Sequence, residues 1–122
     1  MLRVKTYLDK SSIHGFGVFA AQDIKKGDIV WQFVPEIDKE LEYLKYNELD
    51  KEFIDIYAYY DKQLNKAILS SDNDRFTNHS CTPNTEPDIT GDVIANKDIM
   101  IDEEITINYF EIDDFAENKL KL

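Results

Sequence analysis

Short stretches rich in β-branched and aromatic residues recur along the chain and predict a mostly β protein. Such residues favour strands because their side chains alternate between two faces and fit a pleated surface. Turn sequences separate the stretches, most clearly at residues 25–28 and 90–92. The predicted strands cover residues 4–8, 17–20, 29–34, 67–69, 85–89, 93–95 and 105–110.

The hydrophobic period changes to a helical one over residues 38–58. Apolar side chains there lie three to five positions apart, at Leu41, Leu44, Leu49, Phe53, Ile54 and Tyr57. Asp38 and Asn47 are residue types that cap helix N-termini, and Pro35 ends the preceding strand. We therefore expect a short helical insert over about residues 38–58.

Two segments on either side of the insert share a pattern. Residues 20–29 and 95–105 each run from an alanine through an Asp-Ile pair to an acidic turn. They predict two similar β-turn units within one domain that covers residues 1–110. Residues 111–122, acidic first and basic last, are expected to form a short tail that completes or flanks a site.

The charge of the chain narrows the classes of partner. Its 122 residues suit one domain, and 25 acidic residues outnumber 14 basic ones, for a net charge of −11. This surplus repels phosphate backbones and anionic lipids, so we expect no direct nucleic-acid or membrane binding. It favours a basic protein or peptide as partner, with solubility alone as the alternative explanation.

Cysteine and histidine content limits disulfide and metal chemistry. Cys81 is the only cysteine, which excludes an intramolecular disulfide and favours a reducing compartment. With His14 and His79 it offers fewer nitrogen and sulfur ligands than the four of a structural zinc site, so we expect no metal. No apolar run approaches the roughly 18 residues that span a bilayer, and the N-terminus has no apolar signal core. The expected location is the cytoplasm or a nucleus, that of a host if the protein is viral or an effector.

The most polar segment, residues 73–84, also contains Phe76 and Cys81, which are types that prefer burial. This mixture indicates either a buried polar network or a binding site. A Cys-His protease is disfavoured because His79 and Cys81, two apart on an extended chain, point in parallel. Calcium binding is disfavoured because the segment lacks the central glycine and terminal glutamate of an EF-hand.

Two further segments carry candidate chemistry. Gly15 and Gly17 flank Phe16 and allow the backbone to approach a ligand closely, although a tight turn explains them equally well. They do not form a dinucleotide fingerprint, because no helical pattern and no third glycine follow. Residues 102–110 are predicted to be a strand that ends at Tyr109, and an isolated tyrosine is usually an ordinary core or surface residue.

Together the three segments resemble the SET-domain family of protein-lysine methyltransferases. Residues 78–84, Asn-His-Ser-Cys-Thr-Pro-Asn, match the family's Asn-His-Ser-Cys-x-Pro-Asn signature without a gap. Residues 103–109 resemble its Glu-Glu-Leu-Thr-x-Asp-Tyr signature, and residues 14–17 resemble its Gly-x-Gly motif. The order and separation agree as well, over about residues 4–109. The small size is similar to that of minimal, single-domain bacterial and viral members.

The resemblance implies a SET-domain fold of small curved β-sheets in which the C-terminal segment threads beneath a loop as a pseudoknot. It implies S-adenosylmethionine as the cofactor, without a metal. Tyr109 would be the catalytic residue, where the methyl group passes to a lysine amine. The implied cofactor-binding residues are His14, Gly15, Phe16, Gly17, Arg75, Phe76, Asn78, His79, Tyr109 and Phe115.

Methyl transfer to lysine requires that the amine, the methyl carbon and the sulfur lie in line and that the amine is neutral. The free lysine pKa is about 10.4, and a nearby sulfonium in a dry aromatic channel would lower it. Tyr57 and Tyr59 share one face if extended, so they are candidate channel walls, with ordinary core packing as the alternative. Ile107 stands where the family often has Phe or Tyr near the lysine, and it is the third predicted channel residue.

Several positions depart from the family pattern. Cysteine-rich zinc segments that often flank the domain are missing, so Phe110, Phe115 and the tail, or a second subunit in a homodimer, would close the site. Asn108 replaces the common Asp, and Asp102 replaces Gly at a turn, where Asp tolerates left-handed backbone. The predicted function is methylation of a lysine in a basic protein, histone-like or other. The alternatives are a scaffold that binds a basic peptide or the cofactor without turnover, and methylation of another acceptor.

Overall fold

Short strands dominate the structure, a computed structural model that describes residues 1–61 and 66–120. In this part of the chain the predicted mostly β fold with small sheets is confirmed. The strands are β1 (Thr6–Lys10), β2 (Phe16–Ala20), β3 (Ile29–Trp31), β4 (Lys39–Leu41), β5 (Tyr59–Asp61), β6 (Lys66–Leu69), β7 (Asn78–His79), β8 (Thr85–Pro87), β9 (Val93–Ala95) and β10 (Glu104–Ile107). The helices are α1 (Glu48–Tyr57) and α2 (Ala116–Leu120), and 3₁₀ turns form at Tyr43–Lys45, Asn73–Phe76 and Tyr109–Glu111.

The C-terminal strand β10 lies between strands from distant parts of the chain. The four-stranded sheet has the order β1-β2-β10-β7, and the other sheets have the orders β3-β9-β8 and β4-β6-β5. Strand β10 is antiparallel to β2 and parallel to β7, with Thr106 opposite Asn78 and Ile107 opposite His79. The loop after β7 is tied over β10, since Thr85 Oγ1 donates to Thr106 O at 2.6 Å. The threading brings the polar segment beside the end of β10.

The two segments that share a pattern pair with each other. Ile24 N donates to Ile99 O at 2.7 Å, and Ile99 N donates to Ile24 O at 2.8 Å. Equivalent positions of the two segments therefore meet at the centre of the domain. Both isoleucines belong to the main hydrophobic core, together with Val18, Ala20, Val30, Ala95 and Ile105.

The turns of these two segments are equivalent as well. Gly27 N donates to Ala95 O at 2.8 Å, and Asp102 N donates to Ala20 O at 2.7 Å. Gly27 has φ 93° and Asp102 has φ 72°, so both adopt the left-handed conformation. Glycine enters this region without steric cost, and Asp is one of the few other residues that tolerate it. The left-handed turn expected at Asp102 is present.

The insert is only partly helical, and the helix predicted over residues 38–58 is wrong in its first half. Helix α1 begins at Glu48, and Asn47 caps it as predicted by accepting a hydrogen bond from Asp50 N at 2.8 Å. Asp38 is not a helix cap: it is 1% exposed, and its carboxylate accepts from Val34 N at 2.9 Å. The segment after it forms β4 because it pairs with β6, and this long-range pairing overrides the helical spacing of its leucines.

The chain after β10 folds back onto the insert. Phe115 stacks on Tyr60 with ring centroids 4.1 Å apart, and Asp114 N donates to Tyr60 O at 2.9 Å. Lys119 forms an ion pair with the buried carboxylate of Asp113. The predicted tail is thus helical at Ala116–Leu120, and residues 121–122 lie outside the described part of the chain. None of the helices within the described residues is long and apolar enough to span a membrane.

Candidate active site

Asn78 joins three segments that are far apart in the sequence. It is 6% exposed, and its Nδ2 lies 3.0 Å from His14 O, from Phe16 O and from Glu104 Oε2. An amide nitrogen carries two hydrogens, so three acceptors share them. The parallel pairing of β7 with β10 sets this position. The contacts hold the backbone of residues 14–16 against β10.

Gly17 lets this backbone pass close to the carboxylate of Glu104, and Gly15 leaves open space beside the backbone. A Cβ on Gly17 would lie 2.4 Å from Glu104 Oε2, and the same carboxylate accepts a hydrogen bond from Ser11 Oγ at 2.7 Å. Any side chain at Gly17 would therefore displace a fixed group. At Gly15, φ is 48° and the space that a Cβ would fill is open. Phe16 between them is 57% exposed, which leaves open backbone beside an uncovered ring.

The backbone after β10 fixes the histidine of the polar segment. Tyr109 N donates to His79 Nδ1 at 3.0 Å, which assigns the hydrogen of the neutral ring to Nε2, 3.4 Å from Cys81 Sγ. Burial lowers the pKa of His79, so the ring is neutral at physiological pH. The ring also contacts Tyr109 and Phe110, with centroid separations of 5.3 and 5.8 Å.

The phenol of Tyr109 is held as a hydrogen-bond donor. Its Oη donates to Thr77 O at 2.5 Å. Burial raises the pKa of Tyr109 to about 12, and the carboxylates of Asp74, Asp113 and Glu104 add to this effect. The hydroxyl is therefore neutral in the physiological range. Its oxygen lone pairs remain able to accept a hydrogen bond from another group.

A cavity of about 260 Å³ lies on the other face of β10. Ile105 and Ile107 line it, and because side chains alternate along a strand, this face is opposite to that of Glu104. Tyr59 and Thr77 line it as well, and Thr77 is the residue that accepts the hydrogen bond from Tyr109. The volume approaches the lower end for small-molecule pockets, about 300 Å³. Two of the predicted channel residues, Tyr59 and Ile107, therefore meet at one cavity.

A wider opening of about 480 Å³ adjoins this cavity, and its lining is acidic. The two spaces share Tyr60, Asp61, Glu111 and Ile112. Asp61, Glu111 and Asp114 line the opening, whereas the carboxylate of Asp113 is paired with Lys119, so the mouth of the cavity carries negative charge. Within residues 1–61 and 66–120, however, no group of three or more His, Cys, Asp or Glu side chains is arranged to hold a metal ion.

Three other predicted residues, Arg75, Phe76 and Tyr57, lie apart from the cluster formed by Asn78, His79 and Tyr109. Arg75 Nε donates to Ser70 O at 3.1 Å. Phe76 packs against the main core and against the ring of Tyr57, with centroids 5.8 Å apart. Tyr57 also contacts Phe53 at 4.9 Å and lines neither of the two spaces. The structure therefore does not bring Tyr57 to the cavity.

Phe115, predicted as a cofactor residue, lies on the insert side of the molecule. Its ring is packed against Tyr60 and Tyr43, with centroids 4.1 and 5.7 Å away. The rings that contact His79 are those of Tyr109 and Phe110, and Phe110 is 51% exposed. Phe110, which directly precedes the tail, therefore contacts His79, whereas Phe115 within the tail packs on Tyr60.

Sequence reasoning missed the roles of Glu104, Asn84 and Asp74. Glu104 and Asn84 stand inside the quoted motifs, so a signal was present. Asn84 Oδ1 accepts from Thr106 N at 2.9 Å, and its Nδ2 donates to Glu104 O at 2.8 Å. No local pattern marks Asp74, which is 8% exposed, because packing of distant segments buries it.

Comparison with known proteins places these residues in a family context. A family model described as "SET domain" matches residues 15–110. The chain is 34% identical over 118 residues to the variant-silencing SET domain-containing protein of Plasmodium falciparum, covering 84% of this chain and 5% of that protein. It is 28% identical over 123 residues to the histone-lysine N-methyltransferase trr of Drosophila melanogaster, covering 92% of this chain and 5% of that protein. The chain thus spans about one-twentieth of the length of these two relatives.

Solved structures share the fold. One is the Chaetomium thermophilum Polycomb repressive complex 2 in an autoinhibited conformation bound to S-adenosylmethionine. The TM-score is 0.67 and the sequence identity 21%, with 97% of this chain and 17% of that chain covered. The agreement extends over nearly the whole chain.

Proposed function

This chain belongs to the SET-domain family, and from that premise we propose that it transfers a methyl group from S-adenosylmethionine to the side-chain amine of a lysine in a basic protein. One observation carries the proposal. Tyr109 contacts His79 through its backbone and Thr77 through its hydroxyl, so it links the Asn78–His79 segment to the cavity. Similarity to a protein named as a histone-lysine N-methyltransferase supports this reaction class.

The surface around Gly15 fits the cofactor. Open space at Gly15 leaves the backbone of residues 14–17 able to hold the methionine end, and Asn78 with His79 would line the ribose and adenine side. The rings of Phe16 and Phe110 are more than half exposed and would cover apolar parts of the ligand. When bound, S-adenosylmethionine supplies a methyl group that its sulfonium already activates. The S-adenosylmethionine-bound structure of similar fold supports this cofactor.

Tyr109 would orient the substrate amine. Its hydroxyl hydrogen is committed to Thr77 O, so its oxygen can accept a hydrogen bond from the amine. Ile107 and Tyr59 would wall the aliphatic part of the lysine and exclude water. Alignment of the amine with the reacting carbon lowers the barrier to methyl transfer through proximity. A dry channel also lowers the pKa of the amine, which favours its neutral, nucleophilic form.

Negative charge at the mouth supports a basic peptide as substrate. Asp61 and Glu111 line both spaces, and Asp114 lines the wider opening. The acidic insert contributes less than its sequence suggests, since Glu40 pairs with Lys66 and residue 38 is buried. The predicted homodimer and the cytoplasmic or nuclear location stay predictions.

Calorimetry followed by methyl labelling tests the proposal. Titration with S-adenosylmethionine should show one site per chain, with the same heat in the presence of a chelator. Methyl-labelled cofactor added to a lysate should then label basic proteins, and mass spectrometry should find the methyl group on lysine. Binding without labelling would support a scaffold instead, and absence of heat at high micromolar cofactor would overturn the proposal.

A further inference from the structure

Asp74 is a buried carboxyl group to which the proposed function assigns no role. It is 8% exposed, lies in the Asn73–Phe76 turn and lines the cavity beside Thr77. Its side chain accepts hydrogen bonds from Ser70 Oγ at 2.8 Å, Thr77 Oγ1 at 3.2 Å and Tyr59 Oη at 3.4 Å. All three donors are neutral hydroxyls, so they solvate the carboxylate without neutralising it.

Within residues 1–61 and 66–120, no basic side chain forms an ion pair with Asp74. Arg75, its neighbour in the sequence, directs its Nε to Ser70 O at 3.1 Å. The Met1 amino group is engaged by Asp38 Oδ2 at 2.8 Å. A buried carboxylate without a cation is unfavourable, so this wall of the cavity is suited to receive one.

We propose that Asp74 binds the ammonium group of the substrate lysine in the cavity and accepts its proton. The proposal rests on the function proposed above. One N–H bond of the ammonium breaks, its electron pair stays on nitrogen, and the proton moves to a carboxylate oxygen of Asp74. The amine that remains is neutral and nucleophilic. When the methylated product leaves, the carboxylic acid releases its proton to water at the acidic opening, and the carboxylate is restored.

One residue links Asp74 to Tyr109. Thr77 Oγ1 donates to the Asp74 carboxylate, and Thr77 O accepts the hydrogen bond from the Tyr109 hydroxyl. Both Thr77 and Asp74 line the cavity, so an amine that reaches Tyr109 from this side passes the carboxylate. The charge of Asp74 also helps to raise the pKa of Tyr109, in agreement with their proximity.

The groups that face Asp74 set the pH at which it titrates. Burial raises the pKa of Asp74 to about 6, and the charge of Asp72 adds to this. The hydroxyls of Ser70 and Thr77 and the Met1 amino group act in the opposite direction. A carboxylate that titrates near 6 is mostly ionised at pH 7. It is also a stronger proton acceptor than an ordinary Asp, whose pKa is about 3.9.

The tyrosines that face Asp74 remain neutral through this range. Burial raises the pKa of Tyr59 well above its usual value, and that of Tyr109 rises to about 12. Neither hydroxyl therefore competes with Asp74 for the proton of the lysine near neutral pH.

Turnover by Asp74→Asn at several pH values gives the first test. At pH 7 the variant should lose at least about 10²-fold in kcat/KM, the usual contribution of a positioned acid or base. In the parent, kcat/KM should rise with pH through about 6, where Asp74 ionises. This rise near pH 6 should be missing in the variant. Its kcat/KM should instead keep increasing with pH up to the pKa of free lysine. An unchanged pH profile in Asp74→Asn would overturn the proposal.

Peptide binding without cofactor gives a second test that needs no turnover. Fluorescence anisotropy would compare a lysine peptide with the same peptide carrying norleucine, which has the chain without the ammonium. The parent should prefer lysine above pH 6, and Asp74→Asn should lose that preference. Equal preference in both proteins would contradict the role of Asp74 while leaving cofactor binding and the proposed function in place.

Two variants keep the test decisive if Asp74→Asn folds poorly. Ser70→Ala removes one hydrogen bond that lowers the pKa of Asp74, so the lower midpoint of the pH profile should move upward. An unmoved midpoint would count against the proposal. Asp88→Asn is the control, because the Asp88 carboxylate lines neither space and accepts its hydrogen bonds from Thr90 and Asp92. It should leave the midpoint and the lysine preference unchanged.

Discussion

Tyr109 lies between two regions of different character. Around Asn78, polar atoms have fixed hydrogen-bond partners. Around the cavity, aromatic and aliphatic side chains and a carboxylate enclose empty space. Asn78 Nδ2 has three acceptors at 3.0 Å, and one of them, Glu104, is bonded at both oxygens. Across β10, Tyr59 and Ile107 help to enclose about 260 Å³. The first side comes mainly from three short motifs, while the second is assembled from β3, β5, β9 and β10, the polar segment and the tail.

This difference predicts how each side responds to substitution. Loss of one partner in the Asn78 network leaves buried polar atoms unsatisfied, which reduces stability and ligand binding together. The cavity side contains a buried carboxylate that costs stability, as groups at functional sites often do. Changes there should alter turnover and its pH dependence and, at the carboxylate, the pH dependence of stability.

The largest expected effect is in the pH dependence of stability. The pKa of Asp74 is about 6 in the folded protein because burial raises it, and about 3.9 when unfolded. The folded state therefore holds a proton that the unfolded state has lost. The contribution of Asp74 is fully present below about pH 4 and falls by roughly 3 kcal/mol as the pH rises to about 6.

Chemical denaturation of the parent and of Asp74→Asn across this pH range measures the effect. The free energy of unfolding of the parent should fall relative to that of the variant as the pH rises. The difference between the two curves, and not either curve alone, is informative because other carboxylates titrate in the same range. Two parallel curves would show that Asp74 is not a destabilising buried carboxyl group.

Tyr109→Phe should reduce kcat/KM by about 10²-fold, the usual cost of removing one oriented polar group. Cofactor affinity and melting temperature should change little because only one hydroxyl is deleted. Tyr57→Phe is the matched control, since Tyr57 lines neither space. Comparable turnover by the Tyr109 and Tyr57 variants would show that the hydroxyl does not orient the amine.

Asn78→Ala should lower the free energy of unfolding by about 1–3 kcal/mol and weaken cofactor binding in parallel. The carbonyls of His14 and Phe16 would lose the donor that holds them. Denaturation and calorimetry measure the two effects, with exposed Asn118→Ala in α2 as the control. If Asn78→Ala melts and binds like the parent, this side is less constrained than the structure indicates.

Peptide charge and salt should have the smallest effect. Raising salt from about 0.05 to about 0.5 M should lower kcat/KM for a basic peptide several-fold, because salt screens the acidic mouth. A peptide with its flanking basic residues neutralised should be a poorer substrate at low salt and less sensitive to salt. Equal values for both peptides at both salt concentrations would remove the electrostatic argument and leave the methyl-transfer proposal untouched.

Local sequence determined the features that depend on a few neighbouring residues. Asn47 caps α1 through a bond to the residue three positions later, and Asp102 takes the left-handed turn because its side chain tolerates it. Strand β9 forms at the predicted residues, since alternation and flanking turns are local signals. The motifs at residues 78–84 and 103–109 were sufficient to recognise the family, and through it the fold.

Only the tertiary structure decided the features that depend on distant partners. Strand β4 replaced the first half of the predicted helix because it pairs with β6, and Phe115 stacks on Tyr60 instead of joining the Asn78 cluster. Asp74 became a buried carboxylate in a cavity wall because β5 and the polar segment come together around it. Burial and solvation depend on which segments meet in space, and a one-dimensional pattern of residue types does not contain that information.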